Sequence, residues 1–198
     1  SKNNIDSAMK FYTWASPFED GGFALASNPN IDIKVAKYYE SLLKYKDAER
    51  LLRRVDRRVG EDEKSTMLIG QNIQHHEQFV PIESFYKQRL SVHPQGKLVW
   101  EDYVGWLKRD GMHEQAIEVS KESIANNPNT IRLQIQLALL EIEYGNVTDA
   151  ILLATQMTKT FPSVAPPWML LSRALDASGD HEGARVAQRR AAEIQNEQ

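Results

Sequence analysis

The chain has 198 residues, of which 41% are hydrophobic and 26% charged, and its formal net charge is −3. This composition is typical of an ordinary globular protein, and so small a net charge provides no overall field that would attract nucleic acid. The sequence contains no cysteine, which excludes disulfides and thiolate metal sites, and no apolar run approaches the roughly 18–20 residues that span a bilayer.

The first 28 residues are predicted to form a helical cap. Residues 5–15 have the apolar spacing of one amphipathic helix, and Ser16-Pro17 resembles the start of a second helix. Asn28-Pro29 ends that segment. Two compatible interpretations remain: a cap that covers the core of the following helices, or a linker to a region upstream of this chain.

From residue 29 onward, residues of the same kind recur every 34 positions. The recurring turn glycines are Gly111, Gly145 and Gly179, the recurring prolines are Pro94, Pro128 and Pro162, and the recurring small position holds Ala48, Ile82, Ala116, Ala150 and Ala184. A 34-residue period is the mark of a helix–turn–helix repeat. Each unit is therefore predicted to contain a helix, a turn with a left-handed glycine, a second helix and a proline break.

The unit 97–130 carries this pattern most completely, with Trp100, Tyr103, Leu107, Gly111, Ala116 and Pro128 at fixed intervals. The pattern resembles the tetratricopeptide-repeat family. The resemblance implies an all-α fold, a right-handed α-solenoid of about five helix pairs with an N-terminal helical cap. The predicted segments are 1–28 for the cap and 29–62, 63–96, 97–130, 131–164 and 165–198 for the units. The first two units are degenerate, because 29–62 lacks a turn glycine and 63–96 has isoleucine at the small position. The residues predicted to be buried are Trp100, Leu137, Ala150 and Trp168.

Three histidine-containing motifs invite a catalytic or metal-binding interpretation. In His75-His76-Glu77, the adjacent histidines would point about 100° apart on a helix, so a solvated helix end is favoured over a metal site. His113-Glu114 and His181-Glu182 each follow a turn glycine by two residues, where glutamate suits the start of a helix. No nucleophile elbow or phosphate-binding loop is present. We therefore expect neither enzymatic activity nor a cofactor or bound metal.

A basic stripe lies on one side of the predicted helix near residue 50. Its members are Lys46, Arg50, Arg53, Arg54, Arg57 and Arg58. The stripe is compatible with an acidic partner or an anionic membrane surface. Nearby acidic residues dilute its potential and favour a solvated face without a partner.

The family resemblance implies that the first helices of successive units line a concave groove, which takes an extended peptide or a helix. The residues predicted to contact a partner there are Met67, Gln71, Lys108, Arg132, Leu139 and Arg173. Some family members use a clamp of lysines and asparagines for a C-terminal carboxylate. That clamp is absent here, because the corresponding positions hold Ile33 with Lys37 and Met67 with Gln71. The apolar lining suits an amphipathic helix or hydrophobic peptide, and it equally suits packing between neighbouring units.

The sequence thus predicts a protein-interaction scaffold that binds a protein or peptide, and no nucleic acid, through a pre-organised groove. The alternative is the soluble arm of a larger membrane-associated assembly factor or enzyme whose membrane part lies upstream. Absence of cysteine allows either the cytoplasm or the periplasm.

Overall fold

The computed structural model describes residues 29–59, 63–74 and 82–196, and these ranges contain ten α-helices and no strand. The helices are α1 (Pro29–Ser41), α2 (Tyr45–Val59), α3 (Glu63–Gln74), α4 (Ile82–Val92), α5 (Lys97–Arg109), α6 (His113–Asn126), α7 (Ile131–Tyr144), α8 (Val147–Thr160), α9 (Ala165–Ala177) and α10 (His181–Asn196). The predicted all-α class is confirmed. The predicted cap over 1–28 and the His75-His76-Glu77 motif lie outside the described residues, and the division into cap and repeat units stays a prediction.

The described residues divide into two compact units, with the boundary between Ile82 and Glu83. In the first, α1 packs against α2 and α2 against α3. Ala36, Ala48 and Ile69 are fully buried there. The same interior holds the buried carboxylate of Asp32, which accepts a hydrogen bond of 2.9 Å from Arg54 Nη2. The core of this unit is therefore partly polar, and its buried charge is paired as burial requires.

In the second unit, each helix from α5 to α10 packs against the next one along the chain. The first helices of successive pairs also touch, because α5 contacts α7 and α7 contacts α9. A core cluster of Ala138, Ala154, Met157 and Leu170 joins α7, α8 and α9. Three first helices therefore lie side by side over residues 97–177.

Alanine occupies the recurring small position in α2, α6, α8 and α10, and each of these helices packs against the helix before it. Ala48, Ala116 and Ala150 are fully buried, and Ala184 is buried as well. Ile82 occupies the same position and is also buried. Every member of the predicted small position is therefore an interior residue.

Of the four residues that the register predicted to be buried, three are buried in the structure. Trp100, Leu137 and Ala150 are buried, whereas Trp168 is only partly buried. The indole of Trp168 packs against Ala165, Ala191 and Ile194. Two of these neighbours are alanines, whose small side chains cover little of a large ring.

The turn glycines behave differently from one pair to the next. Gly111 and Gly179 have φ of +79° and +87°, the left-handed conformation that was predicted for them. Gly145 does not, because its φ is −118°. A side chain at Gly145 would run into the carboxylate of Glu141. Glycine therefore fits this turn because it leaves room for the side chain of Glu141. The prediction of a left-handed conformation was wrong at Gly145.

The carboxylate of Glu141 occupies that space and contacts two partners. Its side chain is buried, and it accepts a hydrogen bond of 2.9 Å from the backbone N–H of Asn146. The other carboxylate oxygen lies 2.8 Å from Lys121 Nζ. The hydrogen bond from Lys121 to Glu141, assisted by charge, raises the pKa of Lys121. A buried carboxylate thus ties the end of α7 to α6.

Leu43 takes the place of the turn glycine in the first pair, 68 residues before Gly111. Its φ is +59°, although its side chain is a leucine and is 74% exposed. The backbone N–H of Leu43 still donates to Glu40 O, and the N–H of Lys44 to Tyr39 O. The left-handed turn is therefore retained without glycine, and the backbone bears the strain.

Replacing Leu43 by glycine is expected to stabilise the chain by about 0.5–1 kcal/mol, because the left-handed conformation is strained for leucine and the exposed side chain contributes little packing. Thermal unfolding followed by circular dichroism would measure the change. Leu42→Gly is the matched control and is expected to destabilise, since Leu42 has no positive φ to relieve. A stability of L43G equal to or below that of L42G would contradict the assignment of strain.

Candidate partner-binding surface

The six residues predicted to contact a partner are divided between the two units. Met67 and Gln71 lie on α3 in the first unit, and both are partly exposed. In the second unit, Lys108 lies on α5, Arg132 and Leu139 on α7, and Arg173 on α9. The structure therefore places the last four on three helices that lie side by side.

Ion pairs connect the cations of this set across neighbouring helices. Lys108 Nζ on α5 lies 2.6 Å from Glu143 Oε2 on α7, and Arg173 Nη2 on α9 lies 3.0 Å from Glu143 Oε1. Arg132 Nη2 on α7 lies 2.7 Å from Glu101 Oε2 on α5. We call these five side chains the charge-paired surface.

Glu143 is the centre of this surface, since each of its carboxylate oxygens has its own cation. The hydrogen bond from Lys108 and the charges of Lys108 and Arg173 lower its pKa from the ordinary value of 4.5, against the opposing effect of desolvation. Because the pKa is lowered in the folded state, these pairs favour folding above that ordinary value. Their contribution is lost as the pH falls through the lowered pKa.

Glu143 was missing from the predicted site residues, whereas the two cations that it pairs were present. A signal for it exists in the repeat spacing. Glu143 lies 35 residues after Lys108, which is one position more than the 34-residue period. It lies 30 residues before Arg173, which is about one helical turn less than that period. Side chains separated in this way meet when first helices of successive units lie side by side.

Comparison with known proteins rests on structure, because no family model and no curated protein matches the sequence. MamA from Desulfovibrio magneticus RS-1 aligns with a TM-score of 0.60 at 14% identity, over 88% of this chain and 99% of that one. Naa15 in the Naa15/Naa10 structure bound to HypK-THB aligns with a TM-score of 0.56 at 15% identity, over 80% of this chain and 24% of that one.

A third solved structure is described as a thermophilic TPR protein, TTC0263 of Thermus thermophilus. It aligns with a TM-score of 0.54 at 18% identity, over 84% of this chain and 91% of its own. The chain has the tetratricopeptide-repeat (TPR) fold. The fold expected from the 34-residue register is thereby confirmed.

An aromatic platform adjoins the charge-paired surface at the turn between two TPR helices. The ring of Tyr144 stacks on His113 with centroids 3.6 Å apart and planes 4° from parallel. Lys108 Nζ lies 5.6 Å from the centroid of Tyr144, within reach of a cation–π interaction. Because Tyr144 is 44% exposed, the surface offers an apolar face beside its charges.

His113 and His181 occupy the helix starts predicted from the TPR register, since α6 and α10 begin at these residues. His113 stacks on Tyr144, whereas His181 Nδ1 lies 2.7 Å from Asp176 Oδ1. Their surroundings therefore differ. Within the described ranges, no group of three or more histidine, aspartate or glutamate side chains is arranged to hold a metal ion.

Leu139 and Met169 represent the two interpretations of the apolar lining. Leu139 is partly buried and packs against the core cluster that joins α7, α8 and α9. Met169 on α9 is 53% exposed. In this TPR fold, part of the apolar lining therefore packs between neighbouring repeats, and part of it remains accessible to a partner.

The basic stripe of α2 is largely engaged with carboxylates. Arg53 Nη2 lies 2.6 Å from Glu49 Oε1, and Arg54 Nη2 lies 2.9 Å from the buried Asp32. Arg50 lies 4.0 Å from Asp47 Oδ1. The side chains of Arg57 and Arg58 are outside the described residues. Among the helices that the structure describes, none is both long enough and apolar enough to cross a bilayer.

Proposed function

We propose that this chain is a protein-interaction scaffold and that its charge-paired surface binds a peptide or helix from a partner protein. The observation that carries the proposal is the bridging of Lys108 and Arg173 by Glu143 across three first helices. The three helices that carry these side chains pack side by side. The backbone beneath the surface is therefore fixed before a partner arrives, so little backbone ordering opposes binding.

The partner that best fits this surface has both acidic and apolar side chains. Its carboxylates would compete with Glu101 and Glu143 for Lys108, Arg132 and Arg173. Its apolar residues would contact exposed Met169 and the ring of Tyr144. The TPR fold and the Naa15 complex with HypK lend support to a partner that is itself a protein. Met67 and Gln71 remain proposed contacts on α3.

The proposal is tested by capturing partners from the native source with the immobilised chain. The double charge reversal Lys108→Glu with Arg132→Glu is expected to abolish capture while circular dichroism shows unchanged helix content. The matched control reverses Arg53 and Arg57 on α2 and is expected to capture normally. Loss of capture in the α2 variant alone would overturn the proposal in favour of the basic stripe.

The groove contact predicted at Leu139 is tested with Leu139→Ala, and thermal unfolding of the variant separates lost packing against the core cluster from lost binding. If Leu139 is a binding hot spot, the affinity for the captured partner is expected to fall by roughly 1–3 kcal/mol. Met67→Ala and Gln71→Ala test the α3 contacts in the same titration. Affinities equal to the wild type for all three variants would remove Leu139, Met67 and Gln71 from the proposed contact and leave the charged residues with Met169 and Tyr144.

Unlike the preceding substitutions, Glu143→Gln is expected to strengthen binding of the partner. Removing this charge releases Lys108 and Arg173 from their shared carboxylate, so an acidic partner is expected to bind more tightly, on the order of 1 kcal/mol. Isothermal titration of the captured partner with wild type and E143Q measures the change. Weaker binding by E143Q would contradict the proposed exchange of carboxylates at Lys108 and Arg173.

A further inference from the structure

Three residues at the same position of successive repeats make the same hydrogen bond. Trp100 Nε1 donates to Pro94 O at 2.7 Å, and Trp168 Nε1 donates to Pro162 O at 3.0 Å. Gln134 lies between them in the register, and its Nε2 donates to Pro128 O at 2.6 Å. Gln134 thus keeps the hydrogen bond of the tryptophans but lacks their ring.

A cleft of about 270 Å³ opens beside Gln134. It is lined by the end of α6, the loop before α7 and the last turns of α8, with Ile124, Pro128, Gln134, Leu153, Met157 and Phe161 among its walls. Met157 is 1% exposed and belongs to the core cluster, so the cleft reaches down to the interior. None of the six proposed partner contacts lines it.

The next repeat shows what occupies the equivalent space. Moving on by 34 residues from Met157 and Thr160, both of which line the cleft, leads to Ala191 and Ile194. These are two of the residues on which the indole of Trp168 packs. In the repeat of Gln134, the volume that an indole fills in its neighbour is therefore left open.

We propose that this cleft binds the side chain of a tryptophan supplied by a partner polypeptide. Its apolar lining residues Ile124, Leu153 and Phe161 can contact the faces of an indole, and the thioether of Met157 makes favourable contacts with aromatic rings. The carboxamide oxygens of Gln134 and Gln156 at the cleft can accept the indole N–H. The site is separate from the charge-paired surface, so either proposal can fail without the other.

The test uses N-acetyl-L-tryptophanamide as the probe and the whole chain, labelled at its methyl groups for NMR. Saturable shifts are expected at Leu153 and Met157 with this probe, whereas N-acetyl-L-leucinamide is expected to produce none. Gln134→Trp should fill the cleft from within and abolish those shifts. Leu152→Trp is the matched control, because residue 152 is 64% exposed on α8, the helix of Leu153 and Met157, and does not line the cleft. It should leave binding intact.

A second variant keeps the proposal testable whatever the effect of Q134W on folding. Trp168→Gln reproduces the Gln134 arrangement in the last described repeat, and it should create a second set of saturable shifts near Ala191 and Ile194. Absence of saturable binding by wild type up to the solubility of the probe would overturn the proposal. Binding that Q134W leaves unchanged would overturn it as well. Binding of free indole without binding of the capped tryptophan would overturn the assignment to a polypeptide.

Discussion

Replacing Ala150 by arginine is expected to destabilise the chain by about 3 kcal/mol or more, which is the order of the cost of a buried charge without a partner. Ala150 has no exposed surface and occupies the small position in α8. An arginine there must either bury its guanidinium or separate the helices that the alanine allows to meet. Urea or thermal unfolding followed by circular dichroism measures the loss.

Leu152→Arg is the matched control for this substitution. It introduces the same side chain two residues away on the same helix, at a position that is 64% exposed. Its stability is expected to stay within about 0.5 kcal/mol of the wild type. Similar unfolding midpoints for A150R and L152R would mean that the 34-residue register does not mark the contact between paired helices.

Replacing Trp100 by alanine is expected to cost about 3–5 kcal/mol, the usual range for removing a buried aromatic side chain. The indole is 2% exposed, and its N–H donates to Pro94 O. Trp100→Gln should cost less than Trp100→Ala, because glutamine can keep that hydrogen bond, worth about 0.5–1.5 kcal/mol. Gln134 makes the equivalent bond in the next repeat.

Trp168→Ala is the internal comparison for Trp100→Ala. It is expected to cost less, since Trp168 is only partly buried and two of its neighbours are alanines. Unfolding curves for the three variants measured under one set of conditions test the order. Equal costs at positions 100 and 168 would contradict the burial difference between the two repeats.

The paired charges and the open cleft have different consequences for recognition. The charge-paired surface already satisfies its cations, so binding there exchanges one carboxylate for another and depends on ionic strength. The cleft beside Gln134 instead offers unfilled volume with a mixed apolar and uncharged polar lining, so binding there depends on shape and buried area. Salt titration of any captured partner therefore indicates which surface dominates.

The sequence alone determined the periodic features of this protein. Recurrence of similar residues at 34-residue intervals predicted the all-helical repeat and the burial of Trp100, Leu137 and Ala150. It also predicted that α6 and α10 begin at His113 and His181. These features depend on local helix geometry and on one helix contact that is repeated in each pair. A periodic pattern therefore carries the information needed to predict them.

Only the tertiary structure decided features that depend on particular side chains from different repeats. Glu143 holds Lys108 and Arg173, although the three residues lie on three separate helices. Gly145 leaves room for Glu141 instead of adopting a left-handed turn, and Leu43 adopts that turn without being glycine. The open cleft lies beside Gln134, at a repeat position where Trp100 and Trp168 carry a ring. A repeat pattern describes only what the repeats share. The features above arise where one repeat differs from the next, because neighbouring side chains then fill a space, pair with a charge or leave a cleft open.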